Sequence, residues 1–176
     1  MPSQDDLRVE SWWHDRNMND RQRAADMLDL QEGRGRVPVL EGSAPSELLG
    51  RAQRIAVVGA SSSPDRPSYG VMRYLLSQGY DCVPINPNVS EVHGRPAFPT
   101  LEDAVADGGP FDIVDVFRRS ELTVPIAEAA VRTGSRALWL QLGVVNWEAA
   151  RIASEAGLDV VMDRCTAIDH RKLQAH

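Results

Sequence analysis

Positive charge is what this chain has least to spare: 19 lysines and arginines stand against 25 aspartates and glutamates, a net charge of −6. A broad nucleic-acid surface needs clustered basic residues to neutralise phosphates, so that class of partner is disfavoured and any anion site must be locally basic. Cysteine is scarce too. Cys82 and Cys165 are the only two, and they lack the spacing of a metal site, so no metal is expected and both read as free thiols of a reducing compartment. No apolar run approaches the ~18 residues that span a bilayer. The opening MPSQDDLRVESWWHDR is acidic and polar where a signal peptide is basic and then apolar. A cytoplasmic protein without membrane contact is the expectation.

What is present is an ordinary globular composition, 43% hydrophobic and 25% charged over 176 residues, enough for one sizeable domain plus an appendage. From Arg54 onward, short apolar runs alternate with segments of helical period, the pattern of repeated βαβ units. Strands are predicted at Ile55–Gly59, Asp81–Asn86, Asp112–Phe117, Ala137–Gln141 and Leu158–Met162. A sixth, over Glu91–Pro99, contains Gly94, Pro96 and Pro99 and suits only a short edge strand. Helices are predicted from about Pro45 to Arg51, Ser68 to Gln78, Leu122 to Thr133 and Trp147 to Ala156, with a helical turn at Leu101–Val105. Gly79 and Gly134 stand where they end helices. Ile55–Val58 and Val160–Met162 are apolar throughout, as strands covered on both faces are. The fold class is α/β: a Rossmann-like, doubly wound, mainly parallel sheet in a three-layer α/β/α sandwich, spanning residues 45–176.

Residues 1–44 read as an N-terminal arm. Ala24, Met27 and Leu28 have helical spacing, while Gly33, Gly35, Pro38 and Gly42 break the next stretch into loop. Adjacent Trp12 and Trp13 suggest docking on the domain or on a second copy, and a two-fold homodimer is expected on that ground.

Ligands of open α/β sheets sit outside the carboxyl ends of the strands. The first such loop is Gly59-Ala60-Ser61-Ser62-Ser63-Pro64. It has one glycine where a dinucleotide fingerprint has three, and the second strand ends in Asn86 in place of the acid that reads the ribose of NAD. The loop still suits a pyrophosphate through hydroxyls and backbone N–H groups, with Arg66 close by in sequence. Phe117, Arg118 and Arg119 come after a later strand and offer an aromatic face with two guanidinium groups. Gln141, Leu142 and Gly143 stand after the next, and Asp163, Arg164 and Cys165 after the last. Each has an ordinary structural alternative: a capped turn for the serines, carboxylate pairing with Asp115 or Glu121 for the arginines, and a core thiol for Cys165. His14, His93, His170 and His176 read as surface or capping residues, and Asp112, Asp115 and Asp163 as turn and salt-bridge residues.

Five ordered segments, IAVVGASSSPDRPSYGV, PINPN, DIVDVFRRS, LWLQLGVVN and VVMDRCTAIDHRKL, resemble the small stand-alone CoA-binding proteins, relatives of the CoA-binding domain of the succinyl-CoA synthetase alpha subunit. The likeness runs from about Glu47 to Leu173. It implies that Ala60–Pro64 wraps a CoA pyrophosphate, flanked by Arg66, Pro67, Ser68 and Tyr69. It implies as well that Asn86, Pro87 and Asn88 meet the nucleotide end, that Phe117 and Arg118 border the adenosine, and that Gln141 and Leu142 approach from the next strand. The synthetase's second domain and phosphorylated histidine have no counterpart among these segments. The expectation is a non-catalytic module binding coenzyme A or an acyl-CoA. The alternatives are a small enzyme acting on CoA thioesters or using NAD(P), and an accessory subunit of an acyl-CoA enzyme.

Overall fold

The computed structural model describes residues 20–35 and 37–175, so the expectations resting on Trp12, Trp13, His14 and His176 fall outside the described residues. The chain divides into two compact units after Gly35. In the first, helix α1 covers 20–31. Its polar surface is laced by local pairs, Gln22 to Asp26 at 2.7 Å and Arg23 to Asp20 at 3.3 Å, each worth a few tenths of a kcal/mol, about 0.2–0.5, in a helix.

The second unit holds the sheet. Helix α2 (Ala44–Arg51) leads into β1 (Arg54–Val58), with Pro45 in the first turn, where its missing N–H costs no hydrogen bond. Next come α3 (Pro67–Ser77), β2 (Asp81–Ile85), β3 (Glu91–Val92), β4 (Arg95–Pro96) and α4 (Leu101–Gly108). The chain continues through β5 (Ile113–Val116), a 3₁₀ turn (Ser120–Leu122) and α5 (Thr123–Arg132). It ends with β6 (Ala137–Leu140), α6 (Trp147–Glu155), β7 (Asp159–Val161) and α7 (Thr166–Gln174). Five parallel strands lie in the order β2-β1-β5-β6-β7. Helices α2, α3 and α7 pack as one group and α4, α5 and α6 as another. This is the doubly wound α/β sandwich. Gly79 and Gly134 close α3 and α5 in the left-handed conformation, at φ +91° and +71°, which a glycine adopts without a Cβ penalty.

The core is aliphatic and closely shared between sheet and helices. Leu49, Ile55, Met72, Leu75, Ile113 and Leu138 are fully buried, and burying such side chains contributes about 1.5–3 kcal/mol each. Trp139 is also wholly buried, and its indole N–H finds the Arg164 carbonyl at 2.7 Å. No described helix is long and apolar enough to cross a membrane.

Three sequence expectations are corrected. Glu91–Pro99 does not add a sixth strand to the sheet. It forms a separate antiparallel hairpin of two-residue strands, joined to β2 by an isolated bridge between Ile85 and Phe98 and by Arg95, which reaches the Cys82 carbonyl and the Asp81 carboxylate. The segment after β7 is helix α7, and within it His170 is buried at 6% exposure, its Nδ1 3.0 Å from the Tyr74 hydroxyl. It is neither a surface nor a capping residue, because Tyr74 and Tyr80 close over it edge-on. Asp115 is no turn residue either: it is the third residue of β5, at 0% exposure.

Candidate functional site

In this strand order the chain leaves β1 toward one edge and returns at β5 on the opposite side of β1. The loops after β1 and β5 therefore diverge, and a crevice opens between them at the carboxyl ends of the strands, the topological switch point. The residues of that crevice come from four loops, so its shape depends on how each loop leaves its strand.

The loop after β1 turns at once. Gly59 has φ +82°, and a Cβ there would stand 2.9 Å from Arg118 Cδ and 3.2 Å from the Phe117 carbonyl oxygen. Only glycine lets the two loops approach so closely. Ala60 is buried, and its carbonyl accepts from Asn86 Nδ2 at 2.8 Å. The Ser61 N–H donates to Ser68 Oγ, and the Ser63 N–H to Ser61 Oγ, both at 3.1 Å. Ser68, in the first turn of α3, is itself buried. Among the described residues no hydrogen bond uses its hydroxyl proton. Ser63 donates to Asp65, and that bond, with a smaller contribution from Arg66, holds the Asp65 carboxyl below its ordinary pKa. Pro64 is exposed, and Arg66 caps α3 with Pro67 opening it.

A cleft of about 440 Å3 is lined by Gly59, Ser61, Arg66, Pro67 and Ser68 on one side and by Asn86, Phe117, Arg118, Leu142 and Val144 on the other. A second, of about 260 Å3, continues from Gly59, Asn86 and Arg118 to an apolar end made by Val58, Ile85, Pro87, Pro99, Leu122 and Ile126. Among the described residues, no carboxylate, histidine, cysteine or lysine lines either. The cation balance is the telling quantity. Arg51, Arg54, Arg95, Arg119, Arg132, Arg136, Arg151 and Arg164 each pair with a carboxylate, and Arg171 lies over the Tyr74 ring. Arg21, Arg66, Arg73 and Arg118 are in no salt bridge among the described residues, and of these Arg66 and Arg118 face the cleft. In a chain of charge −6, a cleft with two guanidinium groups in no salt bridge and no acid among its described lining residues has the chemistry to attract an anion.

The other residues singled out from the sequence lie around this cleft. Ser62, Tyr69 and Asn88 line a neighbouring open groove beneath the β3–β4 hairpin, where the Tyr69 and His93 rings lie 4.0 Å apart. Arg119 is exposed and paired with Glu121 at 3.4 Å. Gln141 does not line the cleft: it is buried, its Nε2 donating to Asp115 Oδ1 at 2.7 Å and to Thr166 Oγ1 at 3.0 Å. Thr166 in turn donates to Asp115 Oδ2 at 3.0 Å. Burial pushes the Asp115 carboxyl up to about 7, although both hydrogen bonds oppose it. Gly143 is at φ +79° and donates its N–H to Asp163 at 2.8 Å. Cys165 caps α7, partly buried, while the Arg164 guanidinium is committed to Asp169 and the Gly42 carbonyl. Cys82 is buried in β2, and that burial pushes its thiol up to about 12.

Residues not singled out from the sequence include Val144 and, in the smaller cleft, Val58, Ile85, Pro99, Leu122 and Ile126, because such apolar side chains carry no chemical signature. Ser120 likewise carries no signal in the sequence. It is buried, and its hydroxyl accepts from the Val145 N–H at 3.1 Å while its carbonyl accepts from Asn146 Nδ2 at 2.9 Å. It thereby ties the loop after β5 to the loop after β6.

A doubly wound parallel sheet with an acid-free, arginine-flanked crevice at its switch point defines an α/β domain for a phosphate-bearing ligand. The model of one family, described as a CoA binding domain, matches residues 53–171, from just before β1 into α7, and the chain belongs to that family. Among curated proteins it is 42% identical over 124 residues to YneT of Bacillus subtilis (strain 168), an uncharacterized protein, covering 70% of this chain and 90% of that one. Among solved structures, a hypothetical protein from Pyrococcus horikoshii OT3 superposes with a TM-score of 0.72 at 38% identity, covering 77% of this chain and 93% of that one. The dinucleotide-forming acetyl-coenzyme A synthetase 1 of Ca. Korarchaeum cryptofilum matches with a TM-score of 0.56 at 25% identity, over 65% of this chain and only 26% of the synthetase.

Proposed function

We propose that this protein captures coenzyme A, free or acylated, as a binding module that performs no chemistry of its own. The observation that carries this reading is the pair Arg66 and Arg118, the cleft's only charged lining residues among those described, both without a carboxylate partner there. Family membership over residues 53–171 selects CoA among phosphate-bearing ligands. In this reading the pyrophosphate lies along Ser61–Ser63, ahead of α3, where the Ser62 N–H, unlike those of Ser61 and Ser63, is in no hydrogen bond among the described residues and can meet an anion. Arg66 and Arg118 neutralise its charge, and the unspent Ser68 proton offers a further donor. The adenine takes the apolar end beside Pro87, Phe117 and Leu122. The pantetheine arm leaves past Leu142, which is 59% exposed.

Gly59 supports the fit by letting the loops after β1 and β5 close on one another, since a Cβ there would meet Arg118 and the Phe117 carbonyl. The non-catalytic part of the reading rests on the same lining: beyond its two arginines, it offers among the described residues no titratable group to move a proton. Titration calorimetry should give a low-micromolar Kd for CoA, roughly −8 kcal/mol, and much weaker NAD binding. Mass spectrometry of the small molecule released on denaturation should find a CoA species. Preference for NAD in the titration would overturn the reading, and hydrolysis of an acyl-CoA by the purified protein would overturn its non-catalytic part.

A further inference from the structure

Asn86 stands where a dinucleotide-binding fold places the acid that accepts from the ribose hydroxyls. Its side chain is occupied at both ends. Nδ2 donates to the Ala60 carbonyl at 2.8 Å, and Oδ1 accepts from the Asn88 N–H at 2.9 Å. Both partners are backbone groups with a single role, one acceptor and one donor, so the orientation of the amide is fixed by chemistry. The backbone N–H of Asn86 also reaches the Phe98 carbonyl at 2.9 Å. The residue thus braces the phosphate loop against the loop after β2, while lining both halves of the cleft.

No other side chain of similar size spans this gap. Aspartate has the length, but it would set a second oxygen against the Ala60 carbonyl oxygen and add negative charge beside the phosphates. We infer that Asn86 is the residue that sets nucleotide selectivity, a two-ended amide strut that shapes the loop for phosphates and withholds the carboxylate a ribose diol requires. This rests on the CoA reading above and names what excludes dinucleotides from the same cleft. The role is one of positioning, since the amide acts through Ala60 and Asn88.

The test compares Asn86→Asp and Asn86→Ala with wild type, titrating each with CoA and with NAD and melting each alone. Asn86→Asp should lose tenfold or more in CoA affinity while NAD affinity holds or rises, so the CoA-to-NAD ratio contracts at least tenfold. Asn86→Ala removes the strut without adding charge and should weaken both pyrophosphate ligands, CoA by more than NAD because CoA carries a third phosphate, so the ratio contracts by less than in Asn86→Asp. A general loosening of the fold would weaken both ligands together and leave the ratio where it was, which would overturn the selectivity role. Should Asn86→Asp melt below the assay temperature, the ratio in Asn86→Ala decides: an unchanged ratio refutes the proposal. Wild-type protein that ignores CoA would instead sink the underlying reading, before any variant is compared.

Discussion

Asparagine in place of Asp115 should make the protein more stable, and increasingly so as the pH rises. The carboxyl group is fully buried in the middle of the sheet, and burial lifts its pKa from 3.8 to about 7 against the hydrogen bonds of Gln141 and Thr166. Between those values the unfolded chain has released a proton that the folded protein still holds, so stability falls as pH climbs through the interval. Below 3.8 both states are protonated, and above about 7 both are ionised and the penalty is constant. At about 1.4 kcal/mol per pH unit the whole interval is worth at most roughly 4 kcal/mol. An asparagine fits the same place: its Oδ1 accepts from Gln141 and its Nδ2 meets the Thr166 hydroxyl, which can accept. Thermal melts of both proteins at about pH 5 and about pH 8.5 should show the gap widening by roughly 2.5 kcal/mol, about 5–10 °C in Tm for a chain of this size. Asp65, Glu102 and Glu148 are held below their ordinary values by hydrogen bonds from Ser63, Arg132 and Arg151. They pull the opposite way at low pH, but they are common to both proteins and cancel in the difference. A gap of the same size at both pH values would refute the argument that Asp115 is buried at the cost of its charge.

Three further substitutions separate binding from folding. Arg118→Ala should weaken CoA binding by about 1.5–3 kcal/mol, the worth of a charged hydrogen bond, with no change in Tm because the side chain is exposed and in no salt bridge among the described residues; unchanged affinity in calorimetry would return it to a bystander. Gly59→Ala should lower Tm, since left-handed backbone costs an L-residue about 1–2 kcal/mol, and should weaken CoA binding because the new Cβ meets Arg118 Cδ at 2.9 Å. Wild-type CoA affinity in that variant would show that the close approach of the two loops is dispensable. Ser68→Ala strips the Ser61 N–H of its partner, an orphaned donor worth about 1–3 kcal/mol, and should lower both Tm and CoA affinity, measured by melting and calorimetry.

The fold was legible because its strands and helix ends carry strong local signals. Ile55–Val58 is apolar throughout, which marks a strand covered on both faces, and the glycines after α3 and α5 mark left-handed stops. The hairpin was not legible, because two-residue strands are shorter than any period. Helix α7 escaped for another reason: its buried residues include Thr166, Asp169 and His170, so it has no apolar stripe to recognise. Within the site, the Gly59 turn and Arg118 could be read from their place after strands. Gln141 shows the limit of that logic. It comes after β6 as Leu142 does, but one step along the chain turns the side chain from crevice to core, and only the partner Asp115 decides which way it faces.

Asp115 and Arg118 also explain how an acidic chain can hold an anion at all. Screening confines exposed charges to about 8 Å at physiological ionic strength, so the net charge of −6 matters less to a ligand than the few groups around it. Several acids contribute little charge to the crevice, although Asp65 in the phosphate loop keeps its own, held by Ser63. Asp115 is sealed inside the sheet, with its pKa pushed up to about 7, so much of its charge is withdrawn near neutral pH. Several surface carboxylates elsewhere, Glu102, Asp112 and Glu148 among them, are bound to arginines. Arg66 and Arg118 are then left to act on whatever enters between the loops of β1 and β5. The selectivity proposed above follows the same economy: the residue at the end of β2 is an amide that serves the loop, where an acid would set a negative charge into the lining that holds those two arginines.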